Sequence, residues 1–267
     1  MKNELEDFVK FSLELAYVAR KVSLFYFKKK IKVKSKNRKK FDPVTIADIK
    51  IQNKLNRLII KRYPEHSILG EEESFIKNGS YEWCIDPIDG TQSYIQGVPL
   101  WGTLISLSRD KKIILGLADI PALDEMYIGY SNASYKIKNN VKKKLKVRNT
   151  KILSDAILNT TSPYVFENKK DQNSFEKLSN KTRSTRLGGD CYSYCLLADG
   201  HVDIVVESGL KPWDIRALEP IINNAGGLIK TWEDKEIYQG GRIIACNSKK
   251  IFNLSRSILV KKKPRSK

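Results

Sequence analysis

The sequence predicts a layered fold of the α/β or α+β class, in which sheets and helices pack in alternate layers. Segments with helical periodicity alternate with short β-branched runs, and this alternation continues through both halves of the 267 residues. A hydrophobic fraction of 41% is typical of a globular chain of this length, which can bury a large core. We therefore expect one large domain or two closely packed halves.

The first predicted elements are two helices separated by a basic segment. Residues 4–27 carry apolar side chains at helical spacing, which indicates an amphipathic helix. Nine of the thirteen residues from Lys28 to Lys40 are basic, so this stretch is expected to form a loop. Asp42-Pro43 then interrupts the chain. Thr45, followed three residues later by Asp48, forms a capping-box pattern that starts the second helix.

The remaining elements alternate between strands and helices. Strands are predicted at 81–85, 101–108, 112–118, 126–129, 133–137, 156–160, 202–206, 228–232 and 242–246. Helices are predicted over 191–198 and 213–224, with a last helix after 246. The basic, polar stretch 139–154 is the expected seam. It would divide an N-terminal half, 1–145, from a C-terminal half, 146–260, with a basic tail at 261–267.

Composition and charge argue against several classes of protein. The chain has 49 Lys and Arg against 30 Asp and Glu, which gives a net charge of +19. A nucleic-acid or anionic-membrane surface is one interpretation, but the basic runs lack interleaved aromatic residues, so a solvated lysine-rich surface is favoured. Acidic residues interrupt the N-terminal segment, no apolar run reaches about 20 residues, and the four cysteines form no C-x-x-C pair. We expect a cytoplasmic protein with no nucleic-acid or membrane partner.

The most informative motif is the turn Asp-Pro-Ile-Asp-Gly-Thr, residues 86–91. Asp86 and Asp89 supply oxygen ligands of the kind that Mg²⁺ prefers, and the N–H groups of Gly90 and Thr91 can bind a phosphate at a helix N-terminus. A polar surface turn is the alternative for such a short motif. Acidic residues also stand at the ends of three other predicted elements: Asp48, Glu71 and Asp214. Carboxylates at element ends can converge on one cleft.

These motifs, in this order, resemble the inositol-monophosphatase family. The matching set is Asp42-Pro43-Val44-Thr45-x-x-Asp48, Gly70-Glu71-Glu72, Asp86-Pro87-Ile88-Asp89-Gly90-Thr91 and Trp213-Asp214. The resemblance extends from the first helix to about residue 250. It implies an Mg²⁺-dependent, lithium-sensitive phosphomonoesterase with the five-layer αβαβα sandwich of inositol monophosphatase and fructose bisphosphatase. It also implies a homodimer that acts on a small-molecule phosphate ester.

The resemblance implies a role for each acidic residue. Two or three Mg²⁺ ions would be held by Glu71, Asp86, the carbonyl of Ile88, Asp89 and Asp214. Thr91, hydrogen-bonded to Asp48, would position or deprotonate the attacking water. The expected catalytic residues are therefore Glu71, Thr91 and Asp48.

The resemblance further implies that the substrate contacts Asp89, Gly90, Thr91 and Asp214. Attack on phosphorus would be direct, by a metal-activated water, since no Cys or His is placed to form a covalent intermediate. On these assignments the N-terminal half carries most metal ligands and the phosphate-binding turn. The C-terminal half carries the last ligand and the residues that select the substrate.

Three segments favour one branch of the family. Residues 186–194, 207–214 and 97–105 resemble histidinol-phosphate phosphatases. Histidinol phosphate carries a protonated amine, which a carboxylate in a partly dehydrated pocket would attract, and Asp190 and Glu207 are the candidates. Trp101 and Tyr192 are candidates to border the imidazole, with core packing as the alternative for both.

Three functions stay open at this point. The leading one is hydrolysis of L-histidinol phosphate to L-histidinol and phosphate, a reaction of histidine biosynthesis. The runner-up is an inositol monophosphatase or a broad-specificity sugar-phosphate phosphatase. From another class, a basic nucleic-acid-binding protein with a degenerate site is the third, although retention of the whole acidic set argues against it.

Overall fold

The computed structural model describes residues 2–35 and 43–260. Asp42 of the first motif, residues 36–40 of the basic segment and the predicted tail 261–267 lie outside the described residues. None of the described helices combines the length and the apolar character that crossing a membrane requires. All four cysteines are buried and free.

Two helices pack against each other at the start of the chain. The helices of the described residues are α1 (Lys2–Tyr26), α2 (Ile46–Arg62), α3 (Thr91–Gln96), α4 (Lys169–Ser179), α5 (Asp190–Ala198), α6 (Pro212–Ile215), α7 (Leu218–Asn224) and α8 (Lys249–Leu259).

The predicted capping box at the start of α2 is confirmed, because the Asp48 carboxylate accepts a hydrogen bond from the backbone N–H of Thr45 at 2.9 Å. The apolar stripe of α1 is buried at Phe8, Phe11 and Leu15, as its spacing predicts.

The strands form two large sheets and one small one. They are β1 (Val33–Ser35), β2 (Pro43–Thr45), β3 (Ser67–Gly70), β4 (Tyr81–Asp89), β5 (Gly102–Arg109), β6 (Lys112–Ile120), β7 (Glu125–Tyr130), β8 (Ala133–Lys138), β9 (Val141–Lys144), β10 (Ile157–Thr160), β11 (Ser184–Leu187), β12 (Ile204–Leu210), β13 (Leu228–Thr231) and β14 (Gly241–Cys246). The larger sheet has the order β3-β4-β5-β6-β7-β8-β9 and is antiparallel except for the β3–β4 pair. The smaller sheet has the order β11-β10-β12-β14-β13, and β10 runs parallel to both of its neighbours.

Helices cover both sheets and fill the space between them. The pair α1 and α2 packs on one face of the larger sheet, whereas α5 and α7 contact both sheets from the space between them. On the outer side of the smaller sheet, α4 packs against α8, which in turn packs on β14. The resulting order is helix, sheet, helix, sheet, helix. The predicted layered α/β fold is therefore confirmed.

One predicted helix is corrected, and one helix was not predicted. The single helix predicted over 213–224 is divided into α6 and α7. Pro220 explains the interruption, because proline has no N–H to donate to the carbonyl of Arg216 one turn earlier. The sequence reading also missed α4, which begins where the Asn168 side chain accepts a hydrogen bond from the N–H of Asp171.

Candidate active site

A cleft of about 630 Å³ collects the predicted site residues from elements of both sheets. Its lining includes Glu71, Asp86, Ile88, Asp89, Gly90, Thr91, Asp190, Glu207 and Asp214. Glu71 follows β3, the turn formed by residues 86–91 lies at the end of β4, and Asp214 lies on α6. Of the residues predicted to hold metal, to catalyse or to bind the phosphate, Asp48 is the one that does not line the described cleft. It is buried at the start of α2.

A bulge at the end of β4 brings two carboxylates to the same side of the strand. Asp86 pairs with Leu104, but Asp89, three residues later, pairs with Gly102, only two residues away on β5. The extra residue breaks the alternation of side chains, so positions that would face opposite sides of a regular strand can share one side. Asp214 joins this pair from α6. One carboxylate oxygen from each of the three aspartates lies within 4.8 Å of the others.

The three aspartates form a cluster without an ion pair to a described basic side chain, although Lys211 also lines the cleft and its charge lowers the pKa of Asp214. Each accepts one backbone N–H: Asp86 from Ile88 at 3.0 Å, Asp89 from Cys191 at 2.7 Å and Asp214 from Lys211 at 2.7 Å. Within residues 2–35 and 43–260, no Lys or Arg forms an ion pair with any of the three. We call this set the cleft cluster.

Burial and mutual repulsion shape the electrostatics of the cleft cluster. Burial, together with the charges of neighbouring carboxylates, raises the pKa of Asp86 and of Asp89 well above the usual range. Burial likewise raises the pKa of Asp214 to about 7. A bound cation would reverse this effect, because its charge favours the ionised form of every carboxylate around it.

Thr91 and Asp48 form hydrogen bonds with other residues and not with each other, contrary to the expectation from the sequence. The Thr91 hydroxyl donates to the carbonyl of Ile88 at 3.0 Å, while the Asp48 carboxylate accepts from the hydroxyl and the N–H of Thr45. The expected hydrogen bond between Thr91 and Asp48 is thus not formed, since the Thr91 hydroxyl donates to Ile88 and Oδ2 of Asp48 caps α2. Burial raises the pKa of Asp48 to about 7, and the charge of Glu71 contributes in the same direction.

Asp190 enters the cleft at a strained backbone position. It has φ of +43° and follows two glycines that also have positive φ. One carboxylate oxygen accepts a hydrogen bond from the Ser93 hydroxyl at 2.7 Å. A Cβ at Gly90 would lie 2.9 Å from the Asp190 carboxylate, so only glycine at position 90 permits this close approach. Burial raises the pKa of Asp190, an effect that the hydrogen bond from Ser93 opposes.

Glu207 accepts hydrogen bonds on both carboxylate oxygens, whereas Asp190 accepts one from Ser93 on a single oxygen. One of its oxygens accepts from the N–H of Thr161 at 2.8 Å, and the other accepts from the hydroxyl of Tyr194 at 3.3 Å. Burial raises its pKa to about 7. Glu207 therefore holds the end of β10 against β12 in addition to lining the cleft.

Neither Trp101 nor Tyr192, the two candidates to border an imidazole, lines the described cleft. Trp101 is fully buried, and its ring centroid lies 4.8 Å from that of Tyr94. The Tyr192 hydroxyl donates to Glu125 at 3.1 Å. Packing explains both positions, as the alternative interpretation held.

Two site contacts were missed because the sequence carries no local signal for them. Ser93 reaches Asp190 across 97 residues, and the N–H of Cys191 reaches Asp89 across 102 residues. Both contacts join the turn of residues 86–91 and α3 to the start of α5. They depend on how the two sheets are placed, which no short motif encodes.

Known proteins resemble the chain along most of its length. The sequence profile of the inositol monophosphatase family matches residues 4–262. The protein named Bifunctional phosphatase IMPL2, chloroplastic, of Arabidopsis thaliana is 40% identical over 235 residues, which cover 87% of this chain and 66% of that protein. A histidinol-phosphatase of Chlorobaculum parvum is 31% identical over 257 residues, which cover 92% of this chain and 95% of that protein.

A solved structure agrees with these sequence matches. An inositol monophosphatase from Zymomonas mobilis superposes with a TM-score of 0.85 at 33% identity, covering 95% of this chain and 98% of that one. The family profile spans nearly the whole chain, and the structural match has the same extent. This chain belongs to the inositol monophosphatase family of phosphatases.

Proposed function

We propose that the protein is an Mg²⁺-dependent phosphomonoesterase that hydrolyses L-histidinol phosphate to L-histidinol and phosphate. The cleft cluster is the observation that carries the phosphatase part of this proposal. Three carboxylate oxygens lie within 4.8 Å of one another, and the nearby charge of Lys211 leaves the pKa of Asp214 raised to about 7. Such a cluster is costly unless a cation is bound to it.

The donor set fits a hard divalent cation. Asp86, Asp89 and Asp214 offer oxygen atoms only, with Glu71 and the Ile88 carbonyl in the same cleft lining. Mg²⁺ binds such oxygen ligands and keeps several waters, whereas the buried cysteines are outside this set. When bound there, Mg²⁺ would lower the pKa of a coordinated water and neutralise charge on the phosphate.

The remaining residues of the turn would bind and orient the ester. Gly90, at φ of +77°, precedes α3 without a side-chain cap, so its N–H and that of Thr91 are suitable donors to phosphate oxygens. The Thr91 hydroxyl is fixed by the Ile88 carbonyl and would orient the attacking water. Glu71 would act beside it in the cleft, and Asp48 would support this end of the site through Thr45.

Asp190 supports the choice of an amine-bearing ester. The Ser93 hydroxyl bonds one carboxylate oxygen, and within the described residues the other oxygen accepts no hydrogen bond. That oxygen is suited to accept one from an ammonium group. Glu207 has both oxygens engaged, so we assign it a supporting role in substrate binding and make Asp190 the principal partner of the amine. The name of the Chlorobaculum relative, a histidinol-phosphatase, agrees with this substrate.

Asp190→Asn tests this assignment with little disturbance of the backbone, because asparagine tolerates positive φ and keeps an acceptor for Ser93. We expect KM for L-histidinol phosphate to rise about 10- to 100-fold, the loss of a charge-assisted hydrogen bond, with a much smaller change for inositol 1-phosphate. Steady-state phosphate release on both substrates gives the comparison. An equal rise of KM on both would remove Asp190 from amine recognition.

A second candidate is hydrolysis of an inositol or sugar phosphate. The structural match to the Zymomonas inositol monophosphatase favours it, since the whole fold superposes. The two candidates differ in whether the substrate carries a cation. A value of kcat/KM for inositol 1-phosphate at or above that for L-histidinol phosphate would select the second.

A further inference from the structure

The cleft has a second lobe beside the phosphate-binding turn. This lobe has a volume of about 540 Å³ and shares Gly90, Thr91 and Asp190 with the main cavity. Both parts of the chain contribute to it: Gln92 and Gln96 of α3, Ser162 and Tyr164 of the 3₁₀ turn after β10, and Gly188 after β11. Asp190 is the one charged side chain in the described lining of this lobe, and it stands where the two lobes meet.

Tyr164 is 83% exposed, yet the turn that carries it is anchored at both ends. The Ser162 hydroxyl accepts a hydrogen bond from the N–H of Tyr164 at 3.2 Å, and Pro163 restricts φ at the first turn position. Phe166 is buried beneath the turn and stacks on Phe175 with ring centroids 4.9 Å apart. A fixed turn therefore presents an open aromatic ring to the lobe, and little entropy is lost when a ligand ring stacks on it.

The other lining groups of the lobe are neutral and can both donate and accept hydrogen bonds. Gln92 and Gln96 are four residues apart on α3, so they project from one face of the helix, and both are exposed. Their amides and the Ser162 hydroxyl each offer a donor and an acceptor. A neutral imidazole has one N–H donor and one ring-nitrogen acceptor on a flat ring, which matches this chemistry.

We propose that the second lobe is a subsite for a heteroaromatic ring attached to the alcohol part of the substrate. Tyr164 would stack on the ring, and Gln92 and Gln96 would hydrogen-bond its edge. The inference rests on the proposed function in one respect, the placement of the substrate amine at Asp190. Tyr164 thereby takes the role that the sequence suggested for Trp101 and Tyr192, neither of which lines the described cleft.

Four phosphate monoesters separate the ring from the amine. L-Histidinol phosphate carries both groups, 3-(imidazol-4-yl)propyl phosphate carries the ring alone, 2-aminoethyl phosphate carries the amine alone and ethyl phosphate carries neither. KM is measured for all four with wild type, Tyr164→Ala and Tyr164→Phe. Tyr17→Ala removes another exposed tyrosine, 46% exposed and outside the lining of both lobes, and serves as the matched control.

Tyr164→Ala should raise KM for the two ring-bearing esters about 5- to 50-fold, the range that loss of one ring-stacking contact gives. The two esters without a ring should change at most about twofold. Tyr164→Phe should keep KM near the wild-type value because the ring is retained, and Tyr17→Ala should not discriminate among the esters.

Two results would overturn the subsite: unchanged KM for the ring-bearing esters in Tyr164→Ala, or an equal rise for all four esters. Failure of the proposed function has a different signature. Asp190→Asn would then fail to discriminate the amine-bearing esters, while Tyr164→Ala would still discriminate the ring-bearing ones. If none of the esters is hydrolysed, the dissociation constants of the same four compounds are compared by calorimetry instead.

Discussion

Two buried acidic clusters in this protein differ in how their charge is balanced. In the cleft cluster the aspartates accept hydrogen bonds from backbone N–H groups but form no ion pair with a described basic side chain. Around Glu125, by contrast, Lys136 lies 2.9 Å from the carboxylate and Lys138 lies 3.0 Å from it, and Tyr127 and Tyr192 donate their hydroxyls. We call this second set the Glu125 cluster.

The pKa values of the two clusters move in opposite directions. Burial opposes ionisation of Glu125, but hydrogen bonds from Tyr127, Lys136 and Lys138 outweigh it and lower the pKa of Glu125 to about 2. In the cleft cluster burial and repulsion act together and raise the pKa values. The charge of Glu125 is balanced by side chains of the protein, whereas the charge of the cleft cluster would be balanced by the cation that we propose it binds. Charge balance therefore separates a structural acidic cluster from a functional one.

The largest expected effect comes from breaking the cleft cluster. Asp86→Asn should lower kcat/KM by about 10³-fold, because loss of a metal ligand removes several kcal/mol of transition-state stabilisation. In EDTA the same variant should be at least as stable to heat as wild type, since one repelling charge is gone and the acceptor for the Ile88 N–H is kept. Phosphate release and thermal melts in EDTA measure the two effects. A clear loss of thermal stability in EDTA would place Asp86 among the structural acids.

Breaking the Glu125 cluster should have the opposite consequence for stability. Glu125→Ala removes the acceptor of two lysines and two tyrosines, and we expect a loss of about 3 kcal/mol in the free energy of unfolding. Glu236→Ala is the control, because this glutamate is exposed where it pairs with Lys230 and should contribute less than about 1 kcal/mol. Urea unfolding at pH 7 gives both values. Similar small losses in the two variants would contradict a structural role for Glu125.

The sequence predicted the cleft cluster but not the Glu125 cluster, and the reason is physical. Asp86 and Asp89 lie in one turn with a glycine and a threonine, so their chemistry is visible in six adjacent residues. Glu125 is completed by Lys136 from the neighbouring strand and by Tyr192 on α5. Such pairing depends on strand register and helix placement, which short-range periodicity does not specify.

The fold class and the layered arrangement were predictable because they follow from patterns of adjacent residues. The capping box of α2 and the strand before Asp86 follow from local patterns, and the structure contains both. The division of α6 from α7 could have been read from Pro220. The approach of α5 to the turn of residues 86–91, through Ser93 and Asp190, could not be predicted, because both glycines before Asp190 suit an ordinary turn equally well.

The pH dependence of stability gives a further test of the Glu125 cluster, with a smaller expected effect than the substitutions above. The pKa of Glu125 in the folded protein, about 2, lies below the ordinary value of 4.5. A lowered pKa means that its contribution to stability is present above pH 4.5 and is lost as pH falls towards 2. The difference in unfolding free energy between wild type and Glu125→Gln should therefore be constant from pH 7 to about 5 and should narrow below 4.5. Urea unfolding across this range tests it, and a difference that stays constant down to pH 3 would contradict the lowered pKa.

The most direct test of the account is a Mg²⁺ titration of phosphate release by the metal-free protein, with L-histidinol phosphate as substrate. If the cleft cluster requires a cation to act, turnover should be absent in EDTA and should rise to a plateau as Mg²⁺ is added. Undiminished turnover in EDTA, or no turnover at any Mg²⁺ concentration for this ester and for inositol 1-phosphate alike, would contradict the account.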